Sequence, residues 1–145
     1  MKQHENDKVV ATMPAGVTGS SETATLTIDT LGYDHASVTV LRAANANTVF
    51  ASVLRVQESD DNSSYSNVTA LVGGGVGGFT IPTVSVTSQP SVVKMDIDTR
   101  SKKRYLRVSV TPTTAVNVAI SARLAKAGVT PTSASEAGAV GWVTG

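Results

Sequence analysis

Nine consecutive residues, Val116-Asn117-Val118-Ala119-Ile120-Ser121-Ala122-Arg123-Leu124, alternate between apolar or small and polar side chains. That period of two describes a strand with one face buried and one solvated, and it excludes an amphipathic helix. The same period recurs along the chain. Ala24-Thr25-Leu26-Thr27-Ile28-Asp29 places Leu26 and Ile28 on one face, and Ala36 to Arg42 turns Val38 and Val40 inward. Val92 to Asp98 alternates apolar and charged residues, and Arg104 to Val110 repeats the pattern. Composition agrees: 22 Val and 19 Thr stand among 145 residues, and branched Cβ atoms fit a pleated surface better than a helix.

Turn signals separate these runs. Glu58-Ser59-Asp60-Asp61-Asn62-Ser63-Ser64 is dense in side chains that mimic backbone turns, so segments 49–57 and 65–71 read as a hairpin. Residues 79–87 contain Pro82 and suit an edge segment or an extended loop. The expected fold is all-β: an antiparallel β-sandwich, jelly-roll-like, of about seven or eight strands. It occupies residues 23–126, between a polar N-terminal arm over 1–22 and an aperiodic C-terminal tail over 127–145. Within the tail, Ala134-Ser135-Glu136-Ala137 suits a short helical turn.

Several chemistries are excluded or left without support. The chain has no Cys, so disulfides, thiol catalysis and Cys-ligated metals are out. It has two His, His4 and His35, too few for a site built on imidazoles. A Ser–His35–Asp hydrolase lacks both a Gly-x-Ser-x-Gly elbow and a strand–helix alternation to carry it. Gly73 to Gly78 is a flexible or folded-back connector, since no Lys follows to make a phosphate loop. Asp60-Asp61-Asn62 lacks the Gly and Glu of a calcium loop and reads as an Asx-capped turn. We therefore expect no enzyme and no cofactor. The first residues show no apolar core of a secretory signal, and no run approaches 18 apolar residues, so neither secretion nor a membrane partner is expected. Net charge is +1 with a pI near 8.0, which does not suit a nucleic-acid partner.

Two features are candidates for partner binding. Arg100, Lys102, Lys103, Arg104 and Arg107 hold five of the twelve basic residues. They fit a solvated hairpin end partly paired to Asp96 and Asp98, or a docking patch for an acidic surface. A nucleic-acid patch would want more aromatics than Tyr105 beside it. Trp142, the only tryptophan, is the second candidate, as an interface anchor or as packing on its own domain.

Three segments taken together carry a resemblance: Ala24 to Ala36, Leu54 to Tyr65, and Val93 to Arg107. The Gln57-Glu58-Ser59-Asp60-Asp61 turn and the Arg104-Tyr105-Leu106 strand start are their most distinctive parts. In this order they resemble the head decoration, or cement, proteins of tailed bacteriophages. The likeness spans roughly residues 22–125, and the Gly-rich loop and the tail depart from it. It implies a virion protein on the capsid surface, assembled in the host cytoplasm. The major capsid protein would be its partner, and it would form a homo-oligomer, a trimer or a dimer. The alternative is a carbohydrate- or receptor-binding β module of a phage tail or fibre, for which six aromatic residues are a thin supply.

Overall fold

The computed structural model describes residues 7–128 and 132–141. Eight strands run in order: β1 (Lys8–Thr12), β2 (Ala24–Asp29), β3 (Tyr33–Arg42), β4 (Val53–Ser59), β5 (Ser66–Val72), β6 (Ser91–Asp98), β7 (Tyr105–Thr111) and β8 (Val118–Ala127). A 3-10 turn, Thr99–Ser101, links β6 to β7. The strands form two antiparallel four-stranded sheets, β1-β8-β3-β6 and β2-β7-β4-β5. The pairs β1–β8, β2–β7, β3–β6 and β4–β5 nest inside one another, so the chain is one long hairpin rolled up on itself. That is the jelly-roll arrangement, and the all-β sandwich expected from the alternation is the fold observed.

The period of two sets the core. Leu26 and Ile28, Val38 and Val40, Leu54 and Val56, Leu106 and Val108, and Ile120 and Leu124 all point between the sheets and are buried. Their sequence neighbours Thr25, Thr27, Ser37, Thr39, Arg55, Arg107 and Ser121 lie on the outer faces.

Residues 79–87 form the extended loop that Pro82 suits, and the eighth strand comes from elsewhere. Residues 79–87 carry only isolated bridges, Val49 to Thr83 and Gly73 to Phe79, because Pro82 interrupts any ladder there. The missing strand is β1, inside the segment read as an arm. Its five residues pair in register with Leu124 to Ile120 of β8 and complete the sheet. The tail then folds over the outer edge of β1. Val9 donates its N–H to Ala137 O at 2.7 Å, and a Cβ on Gly138 would collide with the Val9 carbonyl. Gly138 has φ 75° and closes the turn, with Gly138 N–H bonded to Ser135 O and Ala139 N–H to Ala134 O. The Gly-rich segment is folded back rather than loose. Gly73 N–H reaches Leu54 O, Gly74 N–H reaches Phe79 O, and a Cβ on Gly78 would strike the Val72 carbonyl.

One core position is a charge. Arg42 follows Val38 and Val40 on the inward face of β3 and is 1% exposed. No carboxylate meets it among the described residues. Its guanidinium instead donates to the carbonyls of Asn47 (3.1 Å), Val49 (2.8 Å) and Phe50 (3.2 Å), with the Phe50 ring 5.4 Å from Cζ. The loop after β3 thus closes around an internal cation. Arg42→Met keeps the apolar stem but leaves the Asn47 and Phe50 carbonyls unpartnered, Val49 O keeping the Thr113 hydroxyl. We expect a loss of about 2–4 kcal/mol in stability, read as a lower urea midpoint. A loss below about 0.5 kcal/mol, the size of an ordinary surface change, would show that the loop does not depend on Arg42.

Candidate functional site

The three segments that carry the resemblance lie far apart in sequence, and the fold brings their turns to one end of the sandwich. The β2–β3 turn, the β4–β5 turn and the β6–β7 turn are tied together there. Thr30 donates through N–H and Oγ1 to Arg104 O, at 3.0 and 2.6 Å, and Thr99 Oγ1 donates to Tyr33 O at 2.6 Å. Lys103 N–H donates to Glu58 Oε2 at 3.0 Å.

The same end holds the sequence-predicted basic cluster, and most of it is neutralised. Arg104 grips Asp29 through two bonds of 3.0 and 2.9 Å. Arg100 grips Asp98 through two bonds of 3.0 and 2.7 Å. Lys103 Nζ sits 2.9 Å from Asp60 Oδ2. Of the two expected acids, Asp98 does pair with the cluster, whereas Asp96 holds Lys94 at 2.9 Å, with His35 Nε2 3.6 Å away. Such exposed pairs add little stability individually. Together they fix the spacing of the three turns. Lys102 reaches only Ser101 Oγ, at 2.9 Å. Trp142 lies outside the described residues.

Arg107 behaves differently. It points from β7 onto the outer face of the β2-β7-β4-β5 sheet, where Thr27 and Gln57 are its neighbours across the strands. Its Nη2 and Nε donate to Gln57 Oε1 at 2.8 and 3.2 Å, and Gln57 Nε2 donates on to Asn67 Oδ1 at 3.1 Å. Tyr65 stacks on the guanidinium, its ring centroid 4.0 Å from Cζ. Arg104 lies 4.9 Å from the Tyr105 ring at the margin of this face. Arg55 joins Arg107 from β4, opposite Ser109, and its Nε is buried without a hydrogen-bond partner. Among the described residues no carboxylate lies within ion-pair distance of Arg55 or Arg107. Uncompensated positive charge therefore lies on the sheet face, next to two half-buried tyrosines, as well as at Lys102 on the hairpin end. Sequence reasoning had Arg107 but missed Arg55, Tyr65 and Gln57. The available signal was parity: residues 55 and 57 alternate with the apolar Leu54 and Val56.

The acidic turn is built on Asp61. Its Oδ1 accepts from Ser64 N–H (2.8 Å), Ser59 Oγ (2.8 Å) and Ser63 N–H (2.9 Å). Asn62 adopts φ 57° and accepts from the Tyr65 hydroxyl. Asp61 is thereby committed to the turn, and no group of three or more metal-ligating side chains occurs among the described residues. A shallow polar groove of about 370 Å³ lies on the other sheet, floored by Ser37, Thr39 and Ser121 and walled by Lys94, Asp96 and Arg123. No helix among the described residues is long and apolar enough to cross a membrane.

No protein-family profile matches the chain, and no curated protein matches it. Solved structures do. The SPBc2 prophage-derived protein YomS is 10% identical, with 83% of this chain and 95% of that one covered and a TM-score of 0.43. CBM35 from Cellvibrio japonicus Abf62 is 13% identical, covering 86% and 100%, with a TM-score of 0.44. CBM32-1 from a family 31 glycoside hydrolase of Clostridium perfringens is 14% identical, covering 81% and 94%, with a TM-score of 0.39. At these values none of them transfers a ligand or a partner to this chain.

The turns have a pH signature. Hydrogen bonds from the Arg100 side chain, then from its backbone N–H, hold Asp98 down to about 2, against an ordinary 3.8. The Ser64 backbone N–H, with Ser59 and Ser63, holds Asp61 down to about 2. Both acids bind protons less readily folded than unfolded, so they stabilise the protein above the unfolded value. That contribution is lost as pH falls from near 4 toward 2. Thermal melts across that interval should fall steeply for the natural sequence and less steeply for Asp61→Asn/Asp98→Asn. Equal slopes would remove these two acids as the cause.

Proposed function

We propose that this chain is a non-catalytic structural protein of a tailed-phage virion, a decoration protein that binds the outside of the capsid. Its partner is the major capsid protein, and its action is noncovalent stapling of neighbouring shell subunits, as a homo-oligomer. What carries the reading is the convergence of the three decoration-like segments into one braced end, beside a sheet face with two guanidiniums that lack carboxylate partners. That face, with Arg55, Arg107, Tyr65 and Tyr105, is the surface for an acidic patch on the shell. Arg100, Lys103 and Arg104 hold the end in shape and contribute less to docking. The polar braces and the compact sandwich suit a part that must resist load rather than turn over a substrate.

Purified protein should bind mature capsids to saturation and raise the temperature at which they rupture. Arg107→Glu should weaken that binding roughly tenfold, about 1.4 kcal/mol, and the affinity should fall as salt rises. A protein that neither binds shells nor stabilises them ends this reading.

A carbohydrate-binding module is the second reading, favoured by Tyr65 and Tyr105 flanking Arg107 on an open sheet face. Glycan binding that Tyr65→Ala abolishes, with no affinity for capsids, would establish it instead.

A further inference from the structure

The four outer strands differ in how their free sides are used. β1 is covered by the 133–138 turn, through Val9 N–H to Ala137 O. β5 is irregular, because its register against β4 shifts between Arg55 and Gln57, and it runs straight into the folded Gly segment. β2, six residues long, packs close beside β1 and β8 of the facing sheet. β6 alone is long, regular and open. Its eight residues pair without a break to β3, from Ser91↔Arg42 to Asp98↔His35. Among the described residues no backbone bond reaches β6 from its other side. Val92, beside that edge, is 57% exposed.

An open, regular edge is a template for another strand. Natural edges are usually blunted by charge, and β6 presents Lys94, Asp96 and Asp98 on its outer face. Those charges do not repel every partner. Two copies of β6 related by a two-fold axis perpendicular to the sheet must pair residues of the same parity. With Lys94 opposite its own copy, two ammonium groups meet. With Asp96 or Ile97 at the centre, carboxylates meet carboxylates. With Met95 opposite Met95, each Lys94 faces the other copy's Asp96, twice, and no like charges are opposed. Val93 then lies opposite Ile97 on the inner face, apolar against apolar. Unlike charges directly across an antiparallel pair stabilise it and like charges do the opposite.

We infer that β6 is the self-association edge: two copies join antiparallel through it, centred on Met95, into one continuous eight-stranded sheet. This deepens the oligomer in the proposed function by naming its surface and copy number. It is tested on isolated protein, so its outcome is separate from that of the capsid reading.

Sedimentation velocity on the full chain should give a dimer that dissociates on dilution and in high salt. Lys94→Glu places carboxylates opposite one another, and Asp96→Lys does the same with ammonium groups. Each should weaken self-association roughly tenfold or more. Lys94→Glu/Asp96→Lys restores both unlike contacts and should restore the dimer. Both side chains are exposed, and thermal melts at high dilution verify that the variants fold. A monomer at every concentration, an assembly of another copy number, or a dimer indifferent to both single reversals overturns the inference.

Discussion

The pleat of β3 is the constraint on which much of the rest depends. β3 lies between β8 and β6, hydrogen-bonded on both sides along most of its length. A strand so held cannot rotate a single residue outward, so Ala36, Val38, Val40 and Arg42 all face the interior. For the first three that is ordinary burial of apolar surface. For Arg42 it delivers a guanidinium into a region with no carboxylate, where an unsatisfied charge would be costly. The loop over 43–50 turns three carbonyls inward onto the two Nη groups, leaving Nε without a partner, and that fixes the path into β4. Tighter packing elsewhere would not replace this. The loop geometry is a consequence of where the ladder puts one side chain.

The alternation made most of the fold legible, and its failures have a common cause. Seven strands follow from local period, since their partners' identities do not alter which face is apolar. β1 was not visible because Lys8-Val9-Val10-Ala11-Thr12 carries one strongly apolar inward residue, Val10, and gains its place from β8, more than a hundred residues away in sequence. Residues 79–87 are rich in β-branched side chains yet form an extended loop, since Pro82 offers no N–H to a ladder. Strand order was equally out of reach, because period assigns faces and says nothing of neighbours. The nested pairing is a property of chain closure.

The candidate site divides along the same line. The basic run from Arg100 to Arg107 is conspicuous as a string of letters, yet Arg104 is neutralised by Asp29, 75 residues away, and Lys103 by Asp60 across the sandwich end. Only after the turns converge can the spent charges be separated from the available ones. Beside Lys102, what remains is set by parity again: Arg107 and Arg55 alternate with buried apolar residues, so both must face outward on one sheet. Tyr65 comes to Arg107 because the Asp61-centred turn returns the chain directly above it. The cluster lies at the braced end of the molecule, and Arg100, Lys103 and Arg104 are paired to carboxylates there.

The edge and the face lie on different sheets, and this has a geometric consequence. Arg55 and Arg107 belong to β2-β7-β4-β5, whereas β6 closes the other sheet. A two-fold axis perpendicular to the β6 sheet carries one copy onto the other without turning it over. Both arginine faces of a β6-joined pair therefore point to the same side. A dimer of this geometry offers two equal docking faces to one extended surface. The second contact then forms at a high effective concentration, so two modest contacts suffice for firm attachment. On a shell of repeating subunits, a part with two like faces on one side bridges neighbours, which is the mechanical requirement of a staple.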